Sequence, residues 1–194
     1  MVQKKLDNSY YLADDVVALA KDLVGKELHV KTDLGHRSGI IVETEAYSYL
    51  EKGCHAYDNK RTARTEPLFM AGGVAYIYLC YGIHHLFNIV TNAEDKAEAV
   101  LIRAVQPNIG FEPEELKPSS KITSGPGKLS KVLGIDLNLN KISLTGDTIW
   151  LTDAVDNSMD VLASKRIGID YAGEDANLLW RFTAKNSPWI SKKI

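Results

Sequence analysis

Apolar positions along this chain recur with two periods, and the change from one to the other marks out its elements. In the stretch 14–25, Val16, Ala20 and Leu23 share one helical face with Val17 and Val24 beside them. Asp14 and Asp15 suit the start and Gly25 the end, which predicts a helix covering a sheet. Leu28 and Val30 then alternate with polar neighbours, Asp33-Leu34-Gly35 supplies a turn, and a second strand runs from Gly39-Ile40-Ile41-Val42 into Glu43-Thr44-Glu45-Ala46-Tyr47. Residues 73–91, GVAYIYLCYGIHHLFNIVT, read as a hairpin turning at Gly82. Alternation puts Val74, Tyr76, Tyr78 and Cys80 on one face and Ala75, Ile77, Leu79 and Tyr81 on the other, so both faces carry large side chains. A further strand over 99–105 stops before Pro107, a short helix opens at Ser124-Gly125-Pro126-Gly127-Lys128, and strand-like runs follow at 148–151, 167–169 and 180–184. Between these elements, 48–73 and 108–124 lack periodicity.

Three departures from the apolar pattern suggest chemistry. Glu43, Glu45 and Tyr47 share one face of a strand whose start is apolar, although glutamate is depleted in strands and costly to bury. Arg103 interrupts the apolar run AVLIRAV and must find a carboxylate or a polar cavity there. The irregular stretch 48–73 holds His55 and the basic residues Lys52, Lys60, Arg61 and Arg64, and a connection this long inside one domain is usually functional. Tyr47, His55 and Tyr78 could stack a planar ring, Glu45 could activate a water, and Tyr81 before the turn could wedge into a base stack. A structural Glu45–Arg103 ion pair and core tyrosines account for the same residues.

With 194 residues and ordinary hydrophobic and charged fractions, the chain suits one domain over 1–194. The N-terminus lacks a signal-peptide core and no apolar run reaches membrane-spanning length, so a cytoplasmic protein with no membrane partner is expected. Cys54 and Cys80 are too few for a disulfide framework. No CxxC or HExxH spacing occurs, and neither a metal nor an organic cofactor is expected. The net charge of −2 does not advertise nucleic-acid binding, so a DNA partner would require the basic residues to gather on one face.

Several of these stretches together resemble the alkyladenine (3-methyladenine) DNA glycosylases of mammalian type. The likeness is carried by Ile41-Val42-Glu43-Thr44-Glu45-Ala46-Tyr47, by Tyr76-Ile77-Tyr78-Leu79-Cys80-Tyr81-Gly82 with Asn88, and by Leu101-Ile102-Arg103-Ala104. Ser124-Gly125-Pro126, Arg166-Ile167-Gly168 and Ser187-Pro188-Trp189 extend it over nearly the whole chain. The resemblance implies a single α/β (α+β) domain with a mixed, curved sheet flanked by helices and a hairpin that enters the DNA minor groove. It implies a monofunctional repair glycosylase, acting as a monomer on double-stranded DNA that contains damaged purines such as 3-methyladenine or hypoxanthine. Matched motif by motif, Glu45 is the general base, Arg103 and the main-chain carbonyl of Ile167 hold the water, and Tyr47, His55 and Tyr78 wall the base pocket. In the same matching Asn88 resembles the residue that discriminates against guanine and Tyr81 the one that intercalates, while the residues themselves put Tyr76 in the core and leave Lys60, Arg61, Arg64 and Lys128 as candidates for phosphate contact. The chain departs from the mammalian pattern at Ile83, His84 and His85, where that pattern has methionine and aromatics, and at Thr65-Glu66-Pro67, which replaces a more basic stretch. Two other activities fit the residues taken alone: a non-catalytic lesion-binding protein and a small-molecule nucleoside hydrolase.

Overall fold

The sheet is built on its longest strand, β2 (Gly35–Ser48), in the computed structural model, which describes residues 4–153 and 159–194. On one side of β2 lie β5 (Glu98–Pro107), β4 (His84–Thr91) and β3 (Ala75–Cys80). On the other lie β1 (Glu27–Thr32) and β6 (Ile149–Thr152), while β8 (Arg181–Ala184) also pairs with β2 and carries β7 (Val161–Ser164). The architecture is the expected α+β class with a curved sheet, and every pairing between these strands is antiparallel.

Two neighbours share one edge of β2. Strand β1 pairs with it as far as Ile40, and β8 takes over at Glu43. Between them the register of β2 against β5 shifts at Ile41/Glu43 and again at Glu43/Thr44. Such an irregularity bends a strand and increases its twist, and here it falls where the glutamates begin.

The faces of the sheet pack differently. Helix α2 (Val16–Asp22) lies on one face and is capped by Asp15, whose side chain accepts the N–H groups of Val17 and Ala18. Thr44 donates its hydroxyl to the Ala20 carbonyl at 2.7 Å, fixing the helix on β2. Ala75, Ile77, Phe87, Ile89 and Ile102 belong to this main core, together with Leu129 and Leu133 of α3 (Pro126–Leu133). The other face holds a smaller cluster of Cys54, Leu68, Phe69, Tyr76, Val90 and Ala99, with Tyr47 and Tyr78 at its margin. The stretch 48–73 therefore covers the second face of the sheet, as its irregular sequence allows.

Helix α3 buttresses the hairpin. A Cβ added to Gly127 would stand 2.8 Å from the ring of His84, so β4 lies directly on this helix. Gly125 opens α3 without a side-chain cap, and Gly134 ends it in a left-handed conformation at φ +71°. The strand-like run at 167–169 does not pair: Gly168, at φ +75°, turns the chain out of the extended form, and the neighbouring strand is β7. A short helix α1 (Asn8–Tyr11), which the sequence pattern does not announce, precedes α2. Among the described residues no helix is long and apolar enough to cross a membrane.

The C-terminal segment returns to β2 at Glu43. This fully buried carboxylate accepts Arg103 Nε at 2.9 Å, Arg181 Nε at 2.8 Å, the Ser191 hydroxyl at 2.7 Å and the Ser191 N–H at 2.5 Å. Burial pushes its pKa up, but Arg103, the Ser191 N–H and Arg181 outweigh burial and hold it below the ordinary carboxylate value. The stability this group supplies is therefore present above the ordinary carboxylate pKa and fades as pH falls through the depressed folded value. Glu43→Leu removes the carboxylate that Arg103 and Arg181 share and is expected to cost about 3–5 kcal/mol at neutral pH. Urea denaturation at neutral pH and again in acid checks this; the deficit should shrink in acid.

Candidate active site

Glu45 lies two residues beyond Glu43 on the same face of β2 and is likewise fully buried. Its carboxylate is held on both oxygens. Oε1 accepts the Ile167 N–H at 2.8 Å, and Oε2 accepts the Tyr47 hydroxyl at 2.8 Å and Arg103 Nη1 at 3.1 Å. Arg103 thus bridges the two glutamates through different nitrogens. Burial raises the pKa of Glu45, and here Arg103, the Ile167 N–H and Tyr47 only partly oppose it. The two carboxylates are driven in opposite directions by their surroundings.

A cavity of about 390 Å³ opens beside this pair, within the size range of small-molecule sites, roughly 300–1,000 Å³. Tyr47, His55, Tyr76 and Tyr78 form its aromatic wall, and Arg103 and the segment Ile167-Gly168-Ile169 line it close to Glu45. The sequence-predicted Tyr47, His55, Tyr78, Arg103 and Ile167 all line this one space, and Glu45 sits just beneath it, bonded to three of them.

The wall is braced internally. His55 Nδ1 lies 2.9 Å from the Tyr76 hydroxyl, and its ring meets Tyr78 edge-on with centroids 4.6 Å apart. Burial, with Arg64 adding to it, pushes the His55 pKa down to about 4, so the imidazole is neutral at neutral pH. The Arg64 guanidinium lies over the Tyr78 ring at 5.1 Å and reaches His55 Nε2 at 3.4 Å. Tyr76, read from the sequence as a core residue, is indeed buried, and it also lines the cavity and steadies His55.

Asn88 is placed differently from the other pocket candidates. It is buried in β4, where its amide donates to the Tyr76 carbonyl at 3.1 Å and to the Leu86 carbonyl at 3.4 Å, and it stands behind the cavity lining. The basic candidates also divide. All four are solvent-exposed, but Arg61 is bound bidentately by Glu66 at 2.9 Å, donates to Asp95 at 2.8 Å and lies over the Phe69 ring, whereas Lys60, Arg64 and Lys128 form no ion pair among the described residues.

Contributors that the sequence pattern does not single out come from far along the chain. Arg166 pairs with Glu51 through two bonds of 2.7 Å and stacks on Tyr47 at 4.8 Å. Tyr171, an exposed ring at the cavity, donates its hydroxyl to the Gly53 carbonyl at 3.0 Å. The signal available for them was Arg166-Ile167-Gly168 as a motif; nothing local in the sequence pairs Arg166 with Glu51 or Tyr171 with Gly53.

At the far end of β3 the hairpin turns through Tyr81 and Gly82, closed by the Ile83 N–H on the Cys80 carbonyl at 3.1 Å. Both central residues are left-handed, Tyr81 at φ +50° and Gly82 at φ +73°. Two positive-φ residues fit the tight turns whose twist matches paired strands, but a bulky side chain there is under strain. The Tyr81 ring is 91% exposed, with Ile83 at 72% and Leu79 at 41% beside it. An apolar, ring-bearing tip thus projects next to an aromatic cavity that has a carboxylate beneath it.

A family model described as methylpurine-DNA glycosylase (MPG) matches residues 10–188. A Natranaerobius thermophilus protein is 43% identical over 196 residues, covering 96% of this chain and 98% of its own length. A Clostridium tetani protein is 41% identical over 203 residues, covering 97% and 100%. Both are provisionally named 3-methyladenine DNA glycosylase.

Because the Tyr81 ring is solvent-exposed while its backbone is left-handed, Tyr81→Gly is expected to leave stability unchanged or to raise it by up to about 1 kcal/mol. Thermal and urea unfolding check this. A clear loss of stability would mean that the ring supports the fold.

Proposed function

The chain belongs to the methylpurine-DNA glycosylase family, and from that premise we propose that it flips alkylated or deaminated purines out of duplex DNA and hydrolyses their N-glycosidic bond, leaving an abasic site. The observation that carries this reading is the buried Glu45 carboxylate, hydrogen-bonded on both oxygens, beneath an aromatic cavity.

A base stacked inside a duplex presents neither its glycosidic bond nor its ring faces to a protein pocket. It must leave the helix, and something must occupy the gap. The exposed Tyr81 ring on its turn is suited to that role. Tyr47, His55 and Tyr78 then receive the extruded base. Alkylation at N3 or N7 gives a purine positive charge and weakens its bond to the sugar, and electron-rich rings favour such a cation. With so good a leaving group, one carboxylate suffices in place of the acid and nucleophile pair of many sugar hydrolases. For an alkylated purine, Glu45 takes a proton from water as the water oxygen bonds to C1′, the C1′–N bond breaks, and its electron pair neutralises the cationic base as it leaves; a neutral deaminated purine requires in addition a proton on the departing base. Arg103 and the Ile167 main chain hold the water, and the nearby carboxylates offset positive charge developing on the sugar. The reaction as written uses no metal and no organic cofactor, and it needs one copy of the chain. Asn88, set behind the wall, would bear on purine choice through the backbone of Tyr76 and Leu86.

Glu45→Gln should bind a lesion-containing duplex within a few-fold of the parent and release no free base in single-turnover assays; excision at the parental rate would overturn the mechanism. Because burial raises the pKa of Glu45 and the ionised form is the active one, the rate should fall on acidification at a pH above the ordinary glutamate range. Phosphate contact is expected from the exposed cations that no carboxylate holds rather than from Arg61, which Glu66 and Asp95 already bind. Lys128→Ala should lower the slope of log affinity against log salt by about one, whereas Arg61→Ala should leave it unchanged.

A further inference from the structure

Tyr47 occupies two environments at once. Its ring lines the cavity, and its hydroxyl donates to Glu45 Oε2 at 2.8 Å. The ring is also held from outside the cavity. The Arg166 guanidinium stacks on it at 4.8 Å and on Trp180 at 5.2 Å, donates to the Ala46 carbonyl at 2.9 Å and is locked by Glu51. A phenol fixed on its ring face in this way has little freedom to turn its hydroxyl elsewhere.

We propose that Tyr47 is a positioning residue for the reaction as well as a wall of the base pocket: its hydroxyl holds the Glu45 carboxylate ionised and aimed, and the Arg166–Glu51 pair holds Tyr47. The inference rests on the reading of Glu45 as the proton acceptor. The other groups that face Glu45 are Arg103 on β5, Glu43 on the same strand, and the Ile167 N–H with Arg166 from the following segment. Arg103 is divided between two glutamates and the Ile167 N–H binds the other oxygen, so Tyr47 gives Oε2 its shorter hydrogen bond. Burial and the neighbouring Glu45 raise the Tyr47 pKa well above that of an ordinary phenol, so the hydroxyl remains a donor across the working range. A donor to the ionised form of an acid lowers that acid's pKa, and its removal raises it.

The consequence is a separation of two effects usually assigned together to a pocket aromatic. Loss of the ring weakens base binding. Loss of the hydroxyl alone leaves the stacking surface and moves the pH at which Glu45 becomes active. A tyrosine that only stacked would show the first effect and not the second.

The test is the pH–rate profile of single-turnover excision from a duplex carrying 7-methylguanine, for the parent, Tyr47→Phe, and a protein with 3-fluorotyrosine at position 47. Tyr47→Phe is expected to move the acid limb up by about one pH unit, so that the rate below the limb falls about tenfold, with duplex affinity within about twofold of the parent. Fluorotyrosine is a stronger donor and should move the limb the other way, which keeps the test decisive if the phenylalanine variant folds poorly. Acid limbs at the parental pH in the variants that fold would overturn the assignment. Glu45→Gln run alongside separates the failures: if it is inactive while the limb stays fixed, only the Tyr47 role falls, and if it excises at the parental rate, both fall.

Discussion

The structure depends on a buried charge network that one strand could not support alone. β2 places Glu43 and Glu45, both without solvent exposure, on one face, and desolvating two carboxylates side by side is costly enough that a sheet would ordinarily exclude them. They are tolerated because Arg103 arrives on β5 and Arg181 on β8, and because Ser191 closes the remaining acceptor positions on Glu43. Each of these partners depends on a feature of the fold. The change of neighbour along β2 admits β8, the irregular register sets the glutamates against β5, and the C-terminal segment folds back onto the sheet. The same network also divides the labour. Glu43 receives enough donors to stay ionised and structural, while Glu45 receives fewer and keeps a raised pKa beside the cavity.

What the sequence made legible follows from the range of the interactions. Alternation and turn residues located the hairpin and β2, and the helical period located α2, because those signals lie within a few residues of one another. Glu45 and Arg103 stood out because each contradicts the apolar pattern around it. The long-range pairings that complete the network around them were not legible: Ser191 meets Glu43 across 148 positions, Arg181 meets it across 138, and Arg166 meets Glu51 across 115. No local periodicity encodes such pairings. The run at 167–169 shows the converse, since apolar residues around a glycine look strand-like until the left-handed glycine turns the chain.

Composition alone also misdescribes the electrostatics. A net charge of −2 and a cluster of four basic residues between 52 and 64 say little about which cations are available. Arg61 is bound to two carboxylates and Arg64 lies over a pocket tyrosine, so neighbouring arginines in one loop serve different ends. Availability is a property of the folded surface, and it is set by where Glu66, Asp95 and Tyr78 fall.

The seating of His84 against Gly127 has a mechanical consequence. A hairpin that projects into solvent is a cantilever, and a compliant cantilever bends away when its tip is loaded. Contact with α3 at His84, the first residue of β4 after the turn, confines the free span to the turn itself. Load on the tip then passes through the helix into the layer containing Leu129 and Leu133. Stiffness at the tip is in this sense a property of the main core, and a side chain larger than hydrogen at position 127 would soften it without touching DNA.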